Sequence, residues 1–179
     1  MAKIDVIDKE VKIPEGVSLK LKDNVLTVKG PKGELKRRFY HSRITFSLEK
    51  GVLRVHCDNP NRTEMGLAGT WAAHVRNMCR GVTEGFHYQM KIIFSHFPIK
   101  TSGKGSELVV ENFLGERHPR KAKILEGVTA KISGDVINLE GIDKEKVGQT
   151  AANIEKATVI KNYDTRVFRD GIYLVSRGD

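Results

Sequence analysis

The stretch "VKGPKGELKRRF" (residues 28–39) leaves an apolar-polar alternation, turns through two glycines and a proline, and carries five cations with one acid among them. A second stretch, "VENFLGERHPRKAKI" (residues 110–124), has the same form. It also leaves a strand-like run, turns at a Gly-Glu pair, and continues into Arg117, Arg120, Lys121 and Lys123. Gly33-Glu34 and Gly115-Glu116 lie 82 positions apart. A charged turn repeated at that interval raises the question of whether the whole chain is written twice.

The flanks say that it is. "VSLKLKDNVLTVKG" alternates with period two on both sides of Asp23-Asn24, as half-buried strands do, and Asx residues suit a tight hairpin turn. "ITFSLEKGVLRVHC" repeats the form around Lys50-Gly51, and "VTAKISGDVINLEG" around Gly134-Asp135. "SELVVENFLGER" offers a further strand. Each half then has one helix. In the first, Asn59 or Asn61 is the expected cap, Pro60 suits a first helical position, and Met65, Ala68, Ala72, Val75 and Cys79 share a face up to a stop at Gly81. In the second, Asp143 is the expected cap, Val147, Ala151, Ile154 and Ala157 or Thr158 share a face, and Asn162 is the expected end. A strand-like segment follows each helix, "GFHYQMKIIF" and "TRVFRDGIYLV".

The predicted fold class is therefore α+β, as two tandem duplicated domains, each of mostly antiparallel strands packed around one α-helix. The predicted organisation is an N-terminal segment (1–12), a first repeat (13–97) and a second repeat (98–179), divided where Pro98, Gly103 and Gly105 interrupt the pattern. Gly66 and Gly148 stand at matching places inside the two helices, where glycine costs roughly 1 kcal/mol against alanine. Close approach of helix to sheet is the expected reason.

The chain has 179 residues, 30% of them charged, and a net charge of +9. Such a surplus points to a polyanion, and without a basic amphipathic stretch to lie on lipid, that polyanion is expected to be nucleic acid rather than membrane. The first residues lack the apolar core of a signal peptide, so the expected compartment is the cytoplasm. Cys57 and Cys79 lack paired spacing and read as reduced core residues. The six histidines are scattered, with no metal-ligand spacing.

"VKGPKGEL", "GTWAAHVRNMCRGVTEGF" and "GIDKEKVGQTAANIE" resemble the universal ribosomal protein family called L-six in the bacterial large subunit. The resemblance covers nearly the whole chain, including the duplication. "FSHFPI", "ENFLGERHPRKAKI" and "DTRVFRDGIYLV" resemble its archaeal and eukaryotic branch, and the Pro-Glu-Pro-Tyr ending of bacterial members is absent. The resemblance implies a structural constituent of the large ribosomal subunit. Its implied partners are large-subunit rRNA near the stalk base and the sarcin-ricin loop, neighbouring ribosomal proteins, and translation factors docking nearby. It further implies that most rRNA contact lies in the second domain.

On that reading Arg117, His118, Arg120, Lys121 and Lys123 are the expected main RNA contacts, with His118 stacking on a splayed base or meeting a phosphate. Lys100 and Lys104 sit in a glycine-rich stretch that reads either as a linker or as a phosphate-contacting loop; it lacks the spacing of a nucleotide-binding loop. Lys156 and Lys161, with Arg166 and Arg169 on the following strand, would extend a basic face or be plain solvated surface. Lys32 and Lys36 in the first turn read as phosphate contacts or as the charged edge that discourages aggregation. Trp71 reads as packing or a protein contact. Asp164 and Asp170 could make a carboxylate pair, but Asp170, followed by Gly171, reads first as a turn residue. No paired acid and base, metal cluster or cofactor loop appears, so neither an enzyme nor a cofactor is expected; the alternatives are a basic protein-interaction module and an RNA-acting enzyme outside the ribosome.

Overall fold

Asp23 and Asn24 both take left-handed backbone angles, φ 51° and 62°, which close a two-residue hairpin of the kind that matches strand twist. They join β2 (Ser18–Lys22) to β3 (Val25–Gly30), and β4 (Gly33–Arg38) pairs on the far side of β3. The computed structural model describes residues 6–49, 51–164 and 166–178. Two compact units emerge, residues 1–84 and 85–179.

In the first unit β1 (Val6–Lys12), β5 (Ile44–Glu49) and β6 (Val52–Asp58) make a second antiparallel sheet in the order β1-β6-β5. The expected turn residue Lys50 lies outside the described residues; Gly51 has φ 82°. Helix α1 (Arg62–Thr83) closes the core. Asn61 caps it, accepting from the Glu64 N–H while the Glu64 carboxylate accepts from the Asn61 N–H, a reciprocal box. Pro60 therefore precedes the cap rather than opening the helix. Gly81 does not stop α1 either; it is buried within the last turns. Trp71 stacks on Phe46 at 5.2 Å and meets Phe39 edge-on at 5.3 Å, so its role inside this chain is packing. Val11, Leu26, Val28, Leu53, Val55, Ala68, Ala72, Val75 and Cys79 complete the core. Both cysteines are free and buried, and burial raises the thiol pKa of each.

The second unit repeats this plan. β8 (Lys100–Lys104), β9 (Glu107–Glu111) and β10 (Arg120–Lys123) form one sheet. β7 (Phe86–Ile93), β11 (Val128–Ser133), β12 (Val136–Gly141) and β13 (Gly171–Ser176) form the other, ordered β11-β12-β7-β13. Helix α2 (Lys144–Ala157) starts at Asp143, whose carboxylate accepts from the Glu145 N–H at 3.0 Å, and ends at Thr158, before Asn162. The architecture is α+β with tandem duplicated domains, as expected.

The phase of the repeat differs from the expected one. The strand after the first helix, β7, was expected to finish the first repeat; instead it lies in the second unit, between β12 and β13. The reason is its pairing with both β12 and β13, which buries Phe86, Tyr88, Met90 and Ile92 in the second core. β7 thus corresponds to β1, since β7-β12-β11 mirrors β1-β6-β5. The units divide at 84/85 rather than at 97/98. The glycine-rich stretch at 100–104 is a strand, not a linker, held by pairing of β8 with β9. Arg166 and Arg169 precede β13 instead of lying on it.

The helical glycines also differ from expectation. A Cβ placed on Gly66 meets nothing within 4 Å, and one on Gly148 only reaches Tyr88 at 4.0 Å. Close approach belongs instead to Gly30, where a Cβ would lie 2.7 Å from the Val82 side chain and 2.9 Å from its carbonyl oxygen. Gly66→Ala should therefore stabilise the protein by about 0.5–1 kcal/mol, and Gly30→Ala should destabilise it by about 1–3 kcal/mol; denaturant melts measure both, and loss of stability in Gly66→Ala would contradict the reading. The strand assignment is checked by fragments. Residues 85–179 should melt cooperatively, whereas residues 98–179, which lack β7, should not; equal cooperativity in both would contradict the role of β7.

Candidate nucleic-acid interface

Strand parity decides which cations of the second unit face outward. On β9 and β10, Leu108, Val110 and Ala122 enter the core, so Glu107, Val109, Glu111, Lys121 and Lys123 take the opposite face. Register sets Ser102, Val109 and Lys121 in one row, and Lys104, Glu107 and Lys123 in another, with Lys100 across from Glu111. The β8–β10 sheet thus brings together Lys100, Lys104, Lys121 and Lys123, all exposed. Lys121 Nζ lies 3.2 Å from the Glu107 carboxylate, an exposed pair worth little and easily exchanged for a phosphate. Ser102 adds a hydroxyl to this face; the sequence reading missed it because a Gly/Ser-rich strand looks like a linker.

The turn before β10 holds Arg117 and His118 in the open. It is shaped by left-handed angles at Asn112, Leu114 and Gly115 (φ 59°, 51° and 78°) and anchored by buried Phe113. Arg120 sits on the core-side parity with Ala122 and is committed to the fold. Its guanidinium lies 4.2 Å over the Phe113 ring. It donates twice to the Glu116 carboxylate, at 2.8 and 2.6 Å, and to the carbonyl oxygens of Ala157 and Val159 at 2.9 and 3.0 Å. Those carbonyls belong to the end of α2, where a cation is favoured. The hydrogen bond from Arg120 holds the Glu116 carboxyl below its ordinary pKa. Arg120 thus has a structural role within the second unit, besides the RNA contact expected of it.

Lys32 has a parallel fate. Its backbone N–H donates to the Val82 carbonyl at 2.9 Å, and its ammonium donates to the Glu84 carbonyl, so the first turn is clasped to the end of α1 rather than projecting from the molecule. Lys36 stays exposed and pairs with Glu34 at 2.9 Å. Lys156, in the last turn of α2, and Lys161, beyond it, are exposed but do not belong to the outward sheet face. The same holds for Arg166 and Arg169. The Asp164 carboxylate accepts from the Arg166 N–H at 2.9 Å, which makes it a turn residue. Asp170 is buried, and one carboxylate oxygen accepts from the Ser95 N–H at 3.1 Å. Among the described residues no group of three or more His, Cys, Asp or Glu side chains gathers as a metal site would require, and no helix is long and apolar enough to cross a membrane.

A family model described as ribosomal protein L6 matches residues 13–85 and 97–171, one match in each repeat. The chain is also similar to the large ribosomal subunit protein uL6 of Methanospirillum hungatei, at 46% identity over 173 residues, covering 97% of this chain and 98% of that protein.

Arg120→Gln removes the charge that bridges Glu116 and the end of α2. It should cost about 1.5–3 kcal/mol in a denaturant melt, the scale of charged hydrogen bonds, and no loss would contradict the structural role. The pH dependence has a definite sign. Because the folded-state pKa of Glu116 is lowered, the pair contributes above the ordinary carboxylate range and is lost as pH falls through the lowered value. Glu116→Gln should flatten that part of the acid limb of a stability–pH curve.

Proposed function

The chain belongs to the ribosomal protein L6 family, in its archaeal branch, and as such is a structural constituent of the large ribosomal subunit; from that premise we propose that it binds large-subunit rRNA through the outward face of the β8–β10 sheet. The observation that carries this reading is the gathering of Lys100, Lys104, Lys121 and Lys123 on one sheet face, beside a turn that holds Arg117 and His118 in the open. Lysines supply mobile point charges along a phosphate backbone, and Arg117 adds the planar fork that holds a phosphate in two bonds. Lys156, Lys161, Arg166 and Arg169 are each exposed and add further positive charge for the same polyanion. In the cytoplasm the docked chain sits near the stalk base, beside neighbouring ribosomal proteins and within reach of translation factors, as its resemblance to the family implies. No catalytic step is assigned to it.

The test compares two charge reversals of equal size in the full chain, measured against a transcript of large-subunit rRNA. Arg117→Glu with Lys123→Glu should weaken binding by about tenfold or more at moderate salt. Lys9→Glu with Lys12→Glu, exposed on β1, should weaken it by less than about threefold, the effect of long-range charge alone. Equal losses would refute the assignment of this face.

A further inference from the structure

The sheet that corresponds to β8–β10 in the first repeat is β2–β3–β4, and its outward face is the more cationic of the two. Leu26 and Val28 are buried in the core, with Leu19 and Leu35 packed against them, so the alternate positions face away. Register arranges those positions in three rows: Ser18, Lys29 and Glu34; Lys20, Thr27 and Lys36; Lys22, Val25 and Arg38. Five cations thus share one face with a single carboxylate. Glu34 is already held by Lys36, whose hydrogen bond, with weaker pulls from Lys29 and Lys20, keeps the carboxyl ionised below its usual range. Lys20, Lys22 and Lys29 form no ion pair among the described residues. Ser18, Lys20, Lys22, Thr27, Lys29, Glu34 and Lys36 line one shallow groove across the three strands.

We propose that this face is a second RNA-docking surface, which takes the phosphate backbone of an RNA segment across the first repeat. The inference rests on the chain's being a ribosomal constituent but not on the second-repeat face. Lys20 and Lys22, like Lys36 and Arg38, stand about 7 Å apart along a strand, and Lys20 and Lys36, like Lys22 and Arg38, about 10 Å apart across the central strand. So many like charges repel one another unless a polyanion lies across them. The simpler role of lysine as a guard against edge-to-edge aggregation covers β2 and β4, which are edges. It does not cover Lys29, which stands on the central strand. A protein partner fits poorly. The centres of protein interfaces are poor in lysine and rich in aromatic residues, and this face sets cations around Thr27 at its centre and has no aromatic ring. Ser18 and Thr27 add hydroxyl donors of the kind that hold phosphate oxygens.

The test uses the full chain with Lys20→Gln, Lys22→Gln and Lys29→Gln, the second-repeat face left intact. Its control carries Lys9→Gln, Lys12→Gln and Lys91→Gln, of equal charge and exposed elsewhere. The probes are an RNA duplex of about 20 base pairs and polyglutamate, titrated by fluorescence anisotropy over a range of salt. The sheet-face triple should lose about tenfold in affinity for the RNA duplex, and its slope of log affinity against log salt should fall in magnitude by about two to three, while the control loses less than about threefold. Lys20→Arg, Lys22→Arg and Lys29→Arg should restore binding and guard against a folding defect. Equal losses in the two Gln triples, an unchanged salt slope, or a loss for polyglutamate that exceeds the loss for RNA would each overturn the proposal. If this test fails while the Arg117 and Lys123 reversal still weakens rRNA binding, only the second docking surface is lost.

Discussion

The last turn of a helix leaves carbonyl groups that must find donors, and in this chain each repeat supplies one at or just beyond the turn that follows its sheet's central strand. In the first repeat Lys32 gives its N–H to Val82 and its ammonium to Glu84. In the second, Arg120 reaches Ala157 and Val159. The two residues are not equivalent in the repeat, yet they do the same work by different routes. Each clasp ties a charged turn to the helix of its own unit, and the three-stranded sheet that carries the turn is held with one face on the core. Gly30 is the steric counterpart of the first clasp, since a side chain there would meet Val82.

Once one face of each small sheet is committed, the pleat sorts the remaining cations. Arg120 and Lys121 are adjacent in sequence and have opposite fates. One shares the core side with Ala122 and is spent on the fold, and the other joins Lys123 outside. Lysines on the outward positions are a small cost to the free protein and an asset against a phosphate backbone. Duplication therefore preserves the scaffold while leaving each outward face to vary its charge. In the second repeat two carboxylates, Glu107 and Glu111, accompany the lysines, whereas Glu34 alone does so in the first.

Much of this was legible in the sequence. Period-two alternation around Asp23-Asn24 and Gly134-Asp135 identified hairpins, and most of each helix's buried face followed from its spacing, because these are local signals, although Met65 and Ala157 are only half-buried and Trp71 joins the core. The boundary was not legible in the same way. The alternation of β7 suits either unit, and only its pairing with β12 and β13 assigns it to the second. β8 was hidden by its glycine and serine content. The fates of Lys32 and Arg120 depend on carbonyl groups some 50 and nearly 40 residues further along the chain, which no local pattern announces. The explanation of Gly66 and Gly148 by close packing did not hold, since open space surrounds the first and nearly all of the second.

The central claim, that outward-facing cations of the second sheet meet rRNA while Arg120 serves the fold, is tested most directly by nucleotide-resolution crosslinking of the chain in intact large subunits. The account predicts RNA adducts at Lys121 and Lys123, and at Lys100 or Lys104 across the same face. Adducts from these lysines to neighbouring proteins alone, with no RNA joined to the β8–β10 face, would contradict it.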